Sequence, residues 1–386
     1  MQNENKKYVF VSGGQFGNKG AQALVFTVMS EIKRLHPDKE IILLTYLMKY
    51  REENKNYRLR YEKMPGLKGI LFSTWAIGIN AKRRQLYKNA AAFIDISGYR
   101  LGKRFGPFSA LRFLNVIRLA KHYQAPVYLM PQSYGPFEYG VMTPLIKMLM
   151  RKLIPYAKVF AREEEGVKML KQVIRRLSVE KKPDLILMLP KPVPSVIYKK
   201  VPEIRRYSIE SGSVALIPNS KNEIYNREGL LDRLYIKIIE LVISSGHQVY
   251  ILSHSTEDQK IIKRLMSELP ADMEGIHIIE DELNCLEYEA LVRDFDFIIA
   301  SRYHAIIHSY KEGVPALIMG WAVKYRELAE LFGQESYCID LKSADFDTAV
   351  IKSVEKMLIT YEKEKKVIEE RMRLVIDEHF FERVVL

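Results

Sequence analysis

Residues 301–304, Ser-Arg-Tyr-His, follow the apolar run 297–300 and open a helical pattern that closes at Gly313. An arginine there offers a planar fork of donors that fits a phosphate or a carboxylate. A histidine two residues on adds a donor whose charge changes near neutral pH. Both stand where a strand hands over to a helix N-terminus, which favours an anion. Ser301, Arg302 and His304 are therefore expected to grip a small dianion, and Lys324, after the next strand, to reach the same pocket. His304 and His308 are four apart, a spacing a zinc site could use. The zincin pattern needs Glu after the first histidine, where this chain has Ala305, and no third ligand lies nearby. No metal is expected, and His308 reads as a packed core histidine. Nucleophilic catalysis is disfavoured too, since G-x-S-x-G is absent and neither cysteine has a neighbouring histidine in the sequence.

Four other motifs could carry chemistry. SGGQFGNKG, residues 12–20, places four glycines between a strand and a helix. Glycine lets backbone approach an anion closely, and Gly14 and Asn18 are candidate contacts. The dinucleotide fingerprint spacing is missing, and Lys19 is followed by Gly20 where a P-loop has Ser or Thr. The alternative is a tight turn that merely needs glycine. In DISGYRLG, Asp95 ends an apolar strand, where a carboxylate needs a partner or a role. It is either a general acid/base or a structural aspartate bonded to loop amides. MPQSYGPF presents Gln132 and Ser133, suited to sugar hydroxyls. Arg162 follows the strand KVF and could clamp an anion, or pair with Glu163, Glu164 or Glu165.

The elements that would position these residues alternate in type. KKYVFVSGG, a helix stopped by Pro37 and KEIILLTY make a β-α-β unit, and further strands follow near 91–98, 125–137 and 158–160. The pattern restarts at 213 and continues with strands near 248, 295 and 314. Between the two runs, five prolines fall within residues 183–202, which defeats a long helix. Residues 171–206 also carry ten Lys or Arg against three Asp or Glu. The expected architecture is α/β, with two Rossmann-like parallel-sheet domains facing across a cleft. Residues 1–180 are expected to form an N-terminal domain, 181–207 a basic Pro-rich linker, 208–345 a C-terminal domain and 346–386 C-terminal helices. Ligands in such sheets bind outside the carboxyl ends of the strands, where each motif above falls.

Composition narrows the classes. The chain has 386 residues, 48% hydrophobic and 28% charged, as folded proteins do. Its net charge of +13 suits nucleic acid, an anionic membrane face or phosphorylated substrates. Nucleic acid is not expected, because no recognised motif is present and the basic residues are not interleaved with aromatics. Two cysteines, Cys285 and Cys338, stand at no metal-site spacing and fit a reducing compartment. The opening MQNENKKYVFVSGG lacks a signal-peptide pattern, and GILFSTWAIGINA is too short to span a bilayer. A cytoplasmic protein is expected, with the inner face of the plasma membrane as a place of peripheral contact through basic stretches such as KRRQLYKNA.

Taken together, the glycine-rich βα loop, the Asp-x-x-Ser-Gly strand end, QSYGP, the Arg before an acidic helix start and SRYHAIIHSYKEGVPALIMGWAVKY resemble the polysaccharide pyruvyl transferase family. The order matches from about residue 8 to 335, and the last stretch is the most specific. The resemblance implies a GT-B-like fold, phosphoenolpyruvate as donor and a sugar of a cell-surface glycan or its lipid-linked precursor as acceptor. It implies a pyruvate ketal as product and no cofactor. By motif, Arg302 and His304 match residues expected to hold phosphoenolpyruvate, Arg162 a second anion clamp and Asp95 the acid/base. A GT-B glycosyltransferase with a nucleotide-sugar donor and a non-catalytic member of a glycan-synthesis complex are the alternatives.

Overall fold

The computed structural model describes residues 6–46, 55–64, 66, 81–270 and 273–384. The chain divides into two compact units. The first takes in residues 1–16, 23–202 and 377–386; the second takes in residues 17–22 and 203–376.

In the first unit, strands β1 (Tyr8–Ser12), β2 (Glu40–Thr45), β3 (Arg60–Lys63), β4 (Ala90–Asp95), β5 (Val127–Gln132), β6 (Lys158–Ala161) and β7 (Val179–Lys181) form a parallel sheet ordered β3-β2-β1-β4-β5-β6-β7. Helices α1 (Lys19–Leu35), α2 (Ala81–Lys88), α3 (Gly106–His122), α4 (Thr143–Leu153) and α5 (Glu164–Val173) alternate with the strands. All six residues of β4 and of β5 are buried, as expected of parallel strands covered on both faces. Phe10 and Phe93 are register partners on β1 and β4 and stack with centroids 4.8 Å apart. Residues 183–202, expected in a linker, pack within this unit. Leu185–Met188 and Pro194–Ile197 form short helical turns there, and Tyr57 pairs with Tyr198.

In the second unit, β8 (Ser213–Ile217), β9 (Gln248–Leu252), β10 (Ile276–Ile279), β11 (Phe297–Ala300), β12 (Ala316–Gly320) and β13 (Cys338–Asp340) form a parallel sheet ordered β10-β9-β8-β11-β12-β13. Its helices are α6 (Leu230–Ser244), α7 (Gln259–Glu268), α8 (Cys285–Val292), α9 (Tyr303–Lys311), α10 (Val323–Phe332) and α11 (Phe346–Val375). The core joins Val214, Ile299 and Leu317 of the strands to Ile238 of α6 and Val354 of α11. The expected charged tail is thus the single helix α11, 30 residues long, followed by a segment that belongs with the first unit. GILFSTWAIGINA lies almost wholly outside the described residues. Among those described, no helix is long and apolar enough to cross a membrane.

Candidate functional site

Each sheet reverses its strand order once, between β1 and β4 and between β8 and β11. Such switch points open a crevice at the carboxyl ends of the strands.

At the first, Ser12 and Asp95 are register partners, so Ser12 Oγ donates to Asp95 Oδ2 at 2.7 Å. The Ser97 amide and hydroxyl reach the same carboxylate at 3.1 and 3.0 Å, and Gln132 Nε2 at 3.3 Å. Four donors therefore occupy a carboxylate with about four acceptor sites. Gly13 completes the turn with φ of 92°, and a Cβ there would lie 2.3 Å from Ser97 Oγ. Arg162 and Ser133 belong to the adjoining network. Arg162 Nη1 donates to Asp184 Oδ2 at 2.7 Å, and Nη2 donates to Gly98 O and Ser133 Oγ, both at 2.8 Å. Arg162 and Asp184 are buried, so this arginine ties three loops together and its fork is already engaged. A cavity of about 270 Å³ opens beside the turn, lined by Gly13, Gly14, Ser97, Tyr99, Arg100 and Phe105 among others. Arg100 is the arginine that faces it, with Nε donating to Ser109 Oγ at 3.3 Å. Its signal was position: it follows the Asp95 strand end by five residues.

At the second switch point, Ala300 pairs in register with Ile217, so the Ser301-Arg302 turn leaves the sheet beside Asn219 and Ser220. Asn219 Nδ2 and the Tyr325 hydroxyl donate to Ser301 O at 2.8 and 3.0 Å. Arg302 Nε donates to Asp258 Oδ2 at 2.9 Å, and Nη2 binds Asp258 Oδ1, Glu257 Oε1 and Ser220 Oγ. None of these bonds uses Nη1. Asp258 also accepts from the amides of Ser220 and Ser255. Arg302 and Asp258 thus brace the loops after β8, β9 and β11. Burial works against the Arg302 charge, yet its bonds to Asp258 and Glu257 raise its pKa. Lys324 lies 4.7 Å from the Tyr303 ring centroid and 5.3 Å from that of Tyr325, a cation–π arrangement.

The start of α1 belongs to this second unit. Asn18 pairs with Ser255 in an antiparallel bridge and caps the helix by accepting from Ala21 N at 3.1 Å. Gly20 packs against His304: a Cβ there would stand 2.1 Å from the imidazole Cγ. Lys19 is buried, and no carboxylate pairs with its Nζ among the described residues. Burial lowers its pKa to about 8, against the opposing pull of Glu282 and Asp258.

Sequence reasoning passed over His254, at the end of β9. It is 1% exposed, and neither ring nitrogen has a hydrogen-bond partner among the described residues. Burial, then the charges of His308, Lys19, His304 and Arg302, push its pKa well below the ordinary range, so it stays neutral. His308 is fully buried, with Nδ1 2.7 Å from Glu289 Oε1. Asn18, Ser301, Arg302 and His304 therefore gather around one site with Lys19 and His254, while Lys324 packs on the aromatic rings beside it. Gly14, Asp95, Gln132, Ser133 and Arg162 gather at the other switch point. Among the described residues, no three His, Cys, Asp or Glu are grouped to hold a metal ion.

The model of the polysaccharide pyruvyl transferase family matches residues 18–322. The chain belongs to that family. The chain is also similar to the amylovoran biosynthesis protein AmsJ of Erwinia amylovora, 26% identical over 132 residues, which are 33% of this chain and 32% of that protein. Among solved structures, this pyruvyl transferase family member is similar to the UDP-GlcNAc 2-epimerase of Methanocaldococcus jannaschii, at 14% identity and a TM-score of 0.56 over 91% of this chain and 92% of that one. S. aureus MnaA, solved with UDP, matches at 12% identity and a TM-score of 0.56 over 98% and 95%. These likenesses speak for the fold, a GT-B-like pair of Rossmann-like domains.

Proposed function

We propose that this protein transfers the pyruvyl group of phosphoenolpyruvate to two hydroxyls of one sugar, in a polysaccharide or its lipid-linked precursor. The observation that carries the reading is the convergence of Lys19, Arg302 Nη1, His304 and the α9 N-terminus on one switch point, in a chain of this family. A phosphate and a carboxylate suit that donor set.

In this scheme the methylene carbon of the donor gains a proton and C2 becomes cationic. One sugar hydroxyl adds to C2 and releases its proton, phosphate leaves with the C2–O bond pair, and the second hydroxyl closes the ketal with loss of its own proton. His304 contacts the phosphate and protonates it as it leaves. Asp95 is assigned to the acceptor. Ser97 rather than Asp95 lines the cavity, so Asp95 draws the hydroxyl proton through Ser97 Oγ, which it already orients. Gln132 and Ser133 hold the turn around that pair, and Lys324 supplies positive potential near the donor.

The test is thermal stability with phosphoenolpyruvate, UDP or GDP, on the wild type, Arg302→Ala and His304→Ala. A ligand that binds only the folded state raises Tm. A rise with phosphoenolpyruvate that both variants lose is expected. A rise with UDP or GDP and none with phosphoenolpyruvate overturns the proposal in favour of a nucleotide-sugar donor.

A further inference from the structure

Seven large hydrophobic side chains of the first unit are exposed among the described residues, and five of them lie in two neighbouring segments. Phe105 and Phe108 are 46% and 58% exposed, and Val141, Leu145 and Met148 are 98%, 38% and 52% exposed. Helices α3 and α4 follow β4 and β5 of one parallel sheet, so both begin at its carboxyl edge. They pack on each other, and the loops before them are joined by Lys103 N donating to Pro136 O at 2.8 Å. On α4, Leu145, Met148 and Lys152 make one exposed stripe, while Ile146, Met150 and Leu153 face the core.

The charge of these segments is one-sided. Residues 103–112 and 136–152 carry six Lys or Arg and a single acid, Glu138, which pairs with Lys103. Apolar side chains scattered singly on a surface need no explanation, but a cluster rimmed by one sign of charge does. Aliphatic residues beside lysines suit the boundary between acyl chains and anionic headgroups. Two of the five apolar residues, Phe105 and Phe108, are aromatic, and the other three are aliphatic or Met, which give bases nothing to stack on. Phe105 belongs both to this patch and to the lining of the cavity at the first switch point.

We propose that the N-terminal end of α3, the loop before α4 and the exposed face of α4 form a docking surface for an anionic lipid membrane. Phe108, Val141, Leu145 and Met148 enter the headgroup boundary, and Lys103, Arg104, Lys147, Arg151 and Lys152 meet the headgroups. The membrane then lies beside the mouth of the cavity, where the sugar of a lipid-linked acceptor can enter while its lipid stays in the bilayer. That consequence rests on the proposed function; the docking itself does not.

The experiment is co-sedimentation of the full chain with vesicles of phosphatidylcholine alone and of phosphatidylcholine mixed with phosphatidylglycerol. No donor is present, so failure of the donor reading cannot alter the result. Three proteins are compared: the wild type, a Phe108→Ser, Leu145→Ser, Met148→Ser variant and a Lys147→Glu, Lys152→Glu variant. Light scattering and the phosphoenolpyruvate-dependent Tm rise are followed in each. Expected are binding of the wild type to the anionic vesicles, weakened by added salt, and a loss of roughly tenfold or more in either variant. The donor response should be unchanged. Should the serine variant fail to fold, the charge variant alone decides. Wild-type binding that both variants retain, or no wild-type binding, overturns the proposal. So does a wild-type dimer that the serine variant converts to monomer, since a second copy then covers the patch.

Discussion

Lys19 shows how a single buried charge can be read in both directions. Its folded pKa of about 8 lies below the unfolded 10.5, so the folded chain binds fewer protons than the unfolded chain between those values. Stability then rises as pH climbs from about 8 towards 10.5, because the unfolded state is the one that still holds the proton. At pH 7 the buried charge costs about 3 kcal/mol. Lys19→Met should therefore be more stable than the wild type at pH 7, with a gap that closes near the upper value, measured by urea unfolding across pH. It should also lose the phosphoenolpyruvate response, since the cation is what an anion would meet. A gap that stays constant with pH would mean that the charge is not what costs stability. At this scale the sequence was informative about type and position. Arg302 and His304 could be placed at a strand-to-helix junction because local pattern marks such junctions. Asp258, 44 residues earlier in the chain, could not be paired with Arg302, and Arg162 could not be matched to Asp184, because those bonds depend on which strands become neighbours. His254 had a faint signal, a histidine two residues beyond a strand end.

At the scale of elements, helix α1 begins against His304, and only a glycine fits there. On propensity alone Gly20→Ala should favour the helix by about 1 kcal/mol. The clash at 2.1 Å makes the substitution displace the imidazole instead. The expected outcome is native far-UV dichroism and at least roughly tenfold weaker phosphoenolpyruvate binding by calorimetry. Gly17→Ala is the control, because nothing lies within 4 Å of a Cβ there. If both variants bind like the wild type, His304 is not held by this contact. The Arg162–Asp184 pair carries a different lesson. Removing Asp184 leaves the buried Arg162 with the looser charge contact to Glu163 at 3.6 Å, at a cost of about 3 kcal/mol or less. Asp184→Asn should thus lower Tm by several degrees while the phosphoenolpyruvate response survives. Activity lost in an Arg162 variant would not by itself report contact with substrate. The β-α alternation was legible where a strand is a short, buried apolar run, as in β1 and β4, and not at the edge strands β3 and β7, whose RYEK and VEK are charged and partly exposed. The packing of 183–202 was not: proline shows where a helix stops, not whether the chain beyond it is held.

At the scale of the whole molecule, the chain does not divide at one point. Residues 17–22 belong to the second unit, and residues 377–386 return to the first after the long helix α11. That return is held by apolar contact as well as by charge. Phe380 and Phe381 are fully buried, Phe380 meets Phe160 of β6 edge-on at 5.0 Å, and Lys182 pairs with Asp377 at 3.3 Å. In the sequence these ten residues fall among the expected C-terminal helices, and their return to β6 was not legible because Phe160 lies more than 200 residues earlier. Phe380→Ala should open a cavity beside β6 and cost about 3–5 kcal/mol. Hydrogen exchange can tell where that cost falls. If the two units unfold independently, protection is lost in β4 to β7, while β8, β11 and β12 exchange at wild-type rates. If protection falls equally in both sheets, the units form one cooperative block, and a substitution at the C-terminus then weakens the Arg302 site as much as the fold beneath the cavity beside Gly13.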